Sequence, residues 1–299
     1  MFETDKMIHI LIPTVAQGLL WAILALGVYI TFRVLDIADL SVEGSFPLGA
    51  AVAATALVNG YGMLIAFFLA AIAGALAGIV TGFFTTRLKI PALLAGILTM
   101  IGLYSVNLHV MGKANVALLR VDTIFSYAES FGMSATVAML TVGVVAAVFI
   151  GCLMYWFFGT EIGTAIRATG CNSQMARAQG VNTNRMIVLG LLISNALVAL
   201  SGALVAQSNG FADVGMGTGT IVIGLASVII GEVLFGTKSF KNCLISVILG
   251  SIVYRLVIAV VLQLGMPPND LKLFTALLVA LALSMPLIRE KWRERQRRA

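Results

Sequence analysis

The chain has 299 residues, of which 60% are hydrophobic and 11% are charged. Because a soluble domain carries about 25% charged residues, this composition excludes an ordinary soluble enzyme and indicates a polytopic membrane protein. The net charge of +6 does not indicate nucleic-acid binding, because the tail IREKWRERQRR contributes +4 from six basic and two acidic residues. The three cysteines lack the spacing of a disulfide framework or a zinc site, so no metal is expected.

Apolar runs long enough to cross a bilayer core of about 30 Å recur along the chain. In chain order the predicted segments are 8–32, 46–59, 61–86, 90–111, 135–158, 186–208, 212–236, 241–263 and 271–288. The run 46–59 is too short to cross comfortably, so a broken helix or half-span is predicted near residues 33–59. The expected fold is an all-α, polytopic transmembrane helix bundle of about eight or nine membrane segments, forming a single domain over residues 1–299.

Basic residues indicate the orientation, since cytoplasmic loops of membrane proteins are enriched in Lys and Arg. The basic tail 289–299 is therefore predicted to be cytoplasmic. Counting the crossings back from this tail places the segment 159–185 on the cytoplasmic side and the segment 112–134 outside. The side of the N-terminus stays open, because the region 33–59 is not a simple crossing.

A polar stretch, GTEIGTAIRATGCNSQMARAQGVNTNRM, interrupts the apolar pattern at residues 159–186. One short helix is predicted over 160–168, followed by a break at ATGCN. A second is predicted between Asn172, a favourable N-cap, and Gly180, a favourable residue after a helix end. A helix this short is not stable alone, so we expect it to dock on a partner, with Arg177 against an acidic rim. A solvated connector is the alternative.

This stretch and the following LISNALVALSGALVAQ resemble the cytoplasmic loop and next helix of ABC-importer permeases, in the family that includes the branched-chain amino acid and ribose permeases. The family pattern, G-x-A-x-R-A-x-G-x-N-x-x-x-A-x-x-x-G, is matched by Gly163, Ala165, Arg167, Ala168, Gly170, Asn172, Ala176 and Gly180. A second stretch, LDIADLSVEGSFPLGA, resembles the family's I-D-L-S-V-G segment, with Glu43 where the family often has Gly. The stretch GTGTIVIGLASVIIGE most resembles a subgroup paired with lipoproteins for tryptophan, tyrosine or similar small solutes.

The resemblance implies the permease subunit of an ATP-binding-cassette importer in the bacterial cytoplasmic membrane. It would move a small solute, such as an amino acid, by ATP-driven alternating access. The segment 159–185 would be the coupling loop that contacts the ATPase, through Glu161, Arg167, Asn172, Arg177 and Gly180. The residues alone leave open an ATPase-independent secondary transporter or channel.

The expected partners follow from the same resemblance. They are a second permease chain, identical or paired, ABC ATPase subunits, an extracytoplasmic solute-binding lipoprotein and the lipid bilayer. The chain itself is expected to be a transport subunit with no catalytic residue and no cofactor, with Mg-ATP held by the ATPase. The stretch GEVLFGTKS has one residue too many for a phosphate-binding loop, so the ATPase is expected to be a separate chain.

Polar residues inside membrane segments are candidates for the solute path, because they are costly there and mark functional positions. Asp39, Ser41 and Glu43 cluster in the broken segment. They either border a path, or Asp39 and Ser41 only cap the helix that follows. Further path candidates are Asn195, Gln207 and Glu232.

Two of the charges inside spans also have a structural interpretation. Glu232 could instead pair with Lys238 or Arg255 or contact the ATPase. Arg255 has no acid near it in sequence, so it is expected to pair across helices or to extend toward the membrane surface.

Overall fold

The computed structural model describes residues 2–265, 267 and 270–298, with the side-chain environments of residues 10–284 among them. The side chains of the predicted basic tail therefore lie outside the described residues. Within the described part, the helices are α1 (Phe2–Tyr29), α2 (Val42–Val58), α3 (Met63–Thr86), α4 (Ala92–Met111), α5 (Ile124–Glu129), α6 (Ala135–Phe158), α7 (Glu161–Cys171), α8 (Ser173–Ala178), α9 (Thr183–Asn209), α10 (Thr220–Phe235), α11 (Phe240–Gln263) and α12 (Leu271–Arg298).

Four smaller elements are also present in the described part of the chain. A π-helical turn, Ile30–Val34, follows α1, and a 3₁₀ helix, Val214–Gly217, precedes α10. The strands β1 (Asn115–Ala117) and β2 (Phe211–Asp213) pair antiparallel. This pairing joins the segment after α4 to the segment after α9, so both lie at one end of the bundle, as the charge pattern predicts.

The predicted all-α membrane bundle is confirmed, and the number of full spans is slightly lower than predicted. Seven helical segments of the described chain are long and apolar enough to cross a membrane: Ile10–Val34, Met63–Thr86, Ala92–Met111, Ala135–Phe158, Thr183–Asn209, Val214–Phe235 and Phe240–Gln263. The shorter apolar helices are Val42–Val58 and Leu271–Ser284. The predicted half-span is α2, which begins at Val42 rather than at residue 46.

Helix α9 lies at the centre of the bundle and packs against α1, α2, α3 and α7. Small residues allow this close approach. A Cβ atom at Gly74 or Gly78 of α3 would overlap carbonyl oxygens of α9, and one at Gly202 of α9 would overlap the carbonyl oxygen of Phe46 in α2. The glycines of α3 are therefore packing residues.

Helix α1 runs antiparallel to α9. The Gln17 side-chain amide donates to the Ser208 hydroxyl at 3.1 Å, and the Ser194 hydroxyl donates to the Gly27 carbonyl at 2.7 Å. The N-terminal end of α1 therefore lies at the end of the bundle that carries β2. The charge pattern predicts that this end is outside.

The first turns of α2 and α10 meet beside the middle of α9. Asn195, the thirteenth of the 27 residues of α9, contacts the start of α2 through Ser45. The backbone N–H of Gly219, one residue before α10, donates to the Glu43 carboxylate at 3.0 Å. The first turns of two helices, one of them the shorter helix α2, thus lie close together near mid-depth, an arrangement found around binding sites in transporters.

Candidate coupling segment and solute-path residues

The polar stretch folds as the short helices α7 and α8, and its local signals act as predicted. The Thr160 hydroxyl accepts from the Gly163 N–H and caps α7, while the Asn172 side chain accepts from the Met175 N–H at 3.0 Å and caps α8. Gly180 follows α8 with a φ of +85°, which only glycine adopts readily. The break is shorter than predicted, because α7 continues to Cys171 and only Asn172 is extended.

One face of this α7–α8 segment is anchored on the membrane helices. Gly163, Ile166, Thr169 and Ala176 are buried. A Cβ atom at Gly170 would overlap the carbonyl oxygen of Val34. Since the short helices cannot be stable alone, this anchoring fixes their position relative to α1 and α6.

The opposite face of the segment is exposed. Two apolar side chains on it, Ile162 and Met175, are 51% and 64% exposed. The five predicted coupling residues lie on the exposed part of the segment: Glu161, Arg167, Asn172, Arg177 and Gly180. A surface of apolar side chains and cations next to an anchored helix is chemically suited to a protein partner.

The two arginines of the segment have contacts within the chain. The Arg167 guanidinium carbon lies 4.6 Å from the centroid of the Phe240 ring, a cation–π distance. Arg177 donates to the Thr183 hydroxyl at 3.0 Å. Both side chains are thereby oriented while they remain exposed.

Asp39, Ser41 and Asn195 form a fully buried hydrogen-bonded cluster. One Asp39 oxygen accepts from the Ser41 N–H at 2.9 Å and from the Ser41 hydroxyl at 2.5 Å, and the other accepts from the Asn195 amide at 3.0 Å. The Asn195 oxygen accepts from the Ser45 hydroxyl at 2.7 Å. These contacts tie the broken segment to α9.

The capping interpretation holds for Asp39, whose oxygen accepts from the backbone N–H of Ser41 directly before α2, and it is wrong for the Ser41 side chain. Ser41 is the N-cap residue of α2 but its side chain makes no capping hydrogen bond, because its hydroxyl is used by Asp39 and Asn195. Asp39, Ser41 and Asn195 are 2%, 0% and 0% exposed. The structure therefore places these three path candidates inside the protein packing.

Glu43 has a different environment. It is partly exposed and borders a cavity of about 460 Å³ where α2, α4 and the 3₁₀ helix meet. Gln207 does not line this cavity. It is buried, and its side-chain oxygen accepts from the Ile124 N–H at 3.0 Å, which ties α5 to α9.

Glu232 lies apart from both groups, and its expected pairing with Lys238 or Arg255 is wrong. It pairs with Arg33 through two hydrogen bonds, one of them 2.9 Å from Nε. Arg255 instead stacks on Trp21, with its guanidinium carbon 4.3 Å from a ring centroid. The sequence around Glu232 could not predict the pairing with Arg33, because Arg33 is 199 residues away in the chain.

The comparisons with known proteins agree on one family. The family model described as the permease component of the branched-chain amino acid transport system matches residues 10–283. The chain is 41% identical to the tyrosine transport system permease protein of Clostridioides difficile (strain R20291) over 270 residues, covering 90% of this chain and 88% of that protein. It is 33% identical to an uncharacterized protein of Rickettsia prowazekii (strain Madrid E) over 285 residues, covering 92% and 97%.

A solved structure is also similar. A transporter of the metal-chelate ABC type, described in an inward-facing conformation, aligns with a TM-score of 0.49 and 14% identity, covering 94% of this chain and 85% of that one.

Proposed function

The chain belongs to the family of branched-chain amino acid transport system permeases, and from that premise we propose that it moves an amino acid across the bacterial cytoplasmic membrane. The family is one of ABC-importer permeases, so the chain is a transport subunit of a multi-pass membrane protein complex, and ATP hydrolysis belongs to a separate subunit. This membership favours an ATP-driven importer over the secondary transporter that the residues alone left open.

The proposed solute is an aromatic amino acid. The supporting observation is the 41% identity, along nearly the whole chain, to a protein described as a tyrosine transport permease. L-Tyrosine is therefore the first solute to test. We propose alternating access as the mechanism, with Mg-ATP bound by the partner ATPase.

The coupling proposal rests on one observation: the α7–α8 segment has a buried face and an exposed face. Its buried face is anchored beside Val34 and the end of α6, and its exposed face presents Arg167, Arg177 and Met175. A movement imposed on the exposed face by the ATPase would be transmitted directly to α1 and α6. We assign the ATPase contact to Glu161, Arg167, Asn172, Arg177 and Gly180.

The rest of the assembly follows from the same proposal. Two permease chains, identical or paired, stand on two ATPase subunits, and a solute-binding lipoprotein docks at the end that carries β1 and β2. The C-terminus lies on the cytoplasmic side, because the tail is basic. The whole chain forms one permease domain.

Gentle extraction from native membranes, followed by mass spectrometry of co-purifying proteins, tests this assembly. We expect to recover an ABC ATPase and a lipoprotein with the wild-type chain. The paired change Arg167→Glu and Arg177→Glu is expected to lower ATPase recovery at least about tenfold, because reversing interfacial charges costs several kcal/mol.

The matched control is Arg120→Glu, which makes the same charge change on an exposed residue of the outer segment. It is expected to leave ATPase recovery unchanged. If the paired variant retains the ATPase as well as this control does, the coupling assignment is wrong. If no ATPase is recovered with the wild-type chain, the importer assembly itself is contradicted.

A further inference from the structure

The cavity next to Glu43 has the position and size of a small-molecule site. It lies where the first turns of α2, the middle of α4 and the residues before α10 meet. Its volume of about 460 Å³ falls within the range of ligand pockets. The residues that line it include Glu43, Tyr104, Asn107 and Thr218, each of which has a polar side chain.

Glu43 is a carboxylate at mid-depth with unused acceptor capacity. One of its oxygens accepts from the Gly219 N–H at 3.0 Å. Among the described residues the only ion pair is Arg33 with Glu232, so Glu43 has no cationic partner there. An acidic side chain in a membrane segment is stable only toward water or protein, and such residues mark solute pathways. A cavity that borders such a residue therefore suits an aqueous path better than a lipid contact.

Asn107 provides a second acceptor on the same wall. Its amide nitrogen donates to the Gly44 carbonyl at 3.3 Å, which fixes the orientation of the amide. Its side-chain oxygen is buried and has no hydrogen-bond donor among the described residues. Leaving a buried acceptor unpaired is costly, so a small movement of this wall that let a ligand donate to the oxygen would be stabilising.

The two acceptors define the chemistry of the ligand. A carboxylate and an amide oxygen complement an ammonium group, which has three donors and no acceptor. The hydroxyls of Tyr104 and Thr218 can donate to a carboxylate in the same cavity, and Pro47 and Met100 supply an apolar surface. The first turns of two helices also begin here, and their positive ends favour an anionic group.

We propose that this cavity is the transfer site for the amino acid on the permease, with Glu43 and the Asn107 side-chain oxygen binding the α-ammonium group. The inference rests on the proposed function and adds the site and the recognised group to it. Glu43 discriminates in favour of solutes that carry an ammonium group, whatever their side chain.

The competing explanation is that Glu43 serves only as an acceptor for the Gly219 N–H at the start of α10. The substitution Glu43→Gln separates the two roles. Its amide oxygen still accepts that hydrogen bond, but it no longer carries the charge that binds an ammonium group.

The test uses the complex purified from native membranes with its ATPase, reconstituted into proteoliposomes with its binding lipoprotein. We expect E43Q to lower ATP-dependent uptake of labelled L-tyrosine at least about tenfold, since a charge-assisted hydrogen bond is roughly twice as strong as a neutral one. The thermal unfolding midpoint of E43Q is expected to match that of the wild type. The control is E232Q, an acid that pairs with Arg33 away from the cavity, which should retain uptake.

A second measurement tests whether the complex recognises the ammonium group when the lipoprotein is absent. L-Tyrosine and tyramine, which both carry the ammonium group, are expected to raise the unfolding midpoint of the wild-type complex, because a ligand that binds the folded state stabilises it. The analogue 3-(4-hydroxyphenyl)propionate, which lacks the ammonium group, is expected to leave the midpoint unchanged. E43Q should lose the response to both amines.

The outcomes separate this inference from the proposed function. Wild-type proteoliposomes that take up no L-tyrosine contradict the proposed solute. Wild-type uptake that E43Q retains in full overturns the inference and leaves the importer standing, and so does a midpoint shift that persists in E43Q.

Discussion

Asp39 and Glu43 lie four residues apart in the same broken segment, yet their surroundings are opposite. Asp39 is 2% exposed, and both of its oxygens accept hydrogen bonds from Ser41 and Asn195. Glu43 borders a cavity and accepts one hydrogen bond from the described residues, from the N–H of Gly219. An acid in a membrane segment is a functional candidate by default, but the comparison shows that its partners decide the role.

A third acid extends the comparison. Glu232 is paired with Arg33 near the end of α10, with the Arg33 side chain 46% exposed. The three acids therefore form a series, from a buried structural carboxylate, through one that faces a cavity, to a partly exposed ion pair. Substitutions of Asp39 and of Glu232 should lower the free energy of unfolding by clearly different amounts.

The largest effect is expected for Asp39→Leu. This change removes three hydrogen bonds and leaves buried donors of Ser41 and Asn195 unpaired. The free energy of unfolding should fall by about 3 kcal/mol, because each unpaired buried group costs about 1–3 kcal/mol. Thermal unfolding in detergent measures this loss, which should appear as reduced yield and a lower midpoint.

The control for Asp39→Leu is Glu43→Gln in the same segment, whose midpoint is expected to stay at the wild-type value. If D39L unfolds at the wild-type temperature while E43Q does not, the roles assigned to the two acids are reversed.

The smallest effect is expected for Glu232→Gln. It removes the charge of the ion pair with Arg33 but keeps a hydrogen-bond acceptor. Exposed ion pairs contribute about 0–1 kcal/mol, so the unfolding midpoint should change by no more than a few degrees and L-tyrosine uptake should persist. A loss of uptake comparable to that of E43Q would place Glu232 on the solute path and would contradict its separation from the cavity.

The sequence predicted best what depends on neighbouring residues. The ends of α8 follow from Asn172 and Gly180, because an N-cap side chain and a left-handed glycine act within one turn of the chain. The apolar runs likewise predicted the membrane helices.

The sequence could not predict contacts between distant segments. Asp39 and Ser41 have the pattern of a helix cap, but nothing local indicates that Asn195, which is 156 residues beyond Asp39, bonds to both of them. Asn107 was recognisable only as a polar residue in a span, and nothing local indicated that it shares a cavity wall with Glu43. The fold therefore decides which of the predicted path candidates face open space.

ATP-dependent uptake of L-tyrosine is the most direct test of the central claim, that this chain is the permease of an ATP-driven amino acid importer. The measurement uses proteoliposomes that contain the wild-type chain with its co-purified ATPase and lipoprotein, with ATP supplied to the ATPase side. The account predicts uptake that stops without ATP. Uptake at an equal rate without ATP, by the purified chain alone, would contradict it.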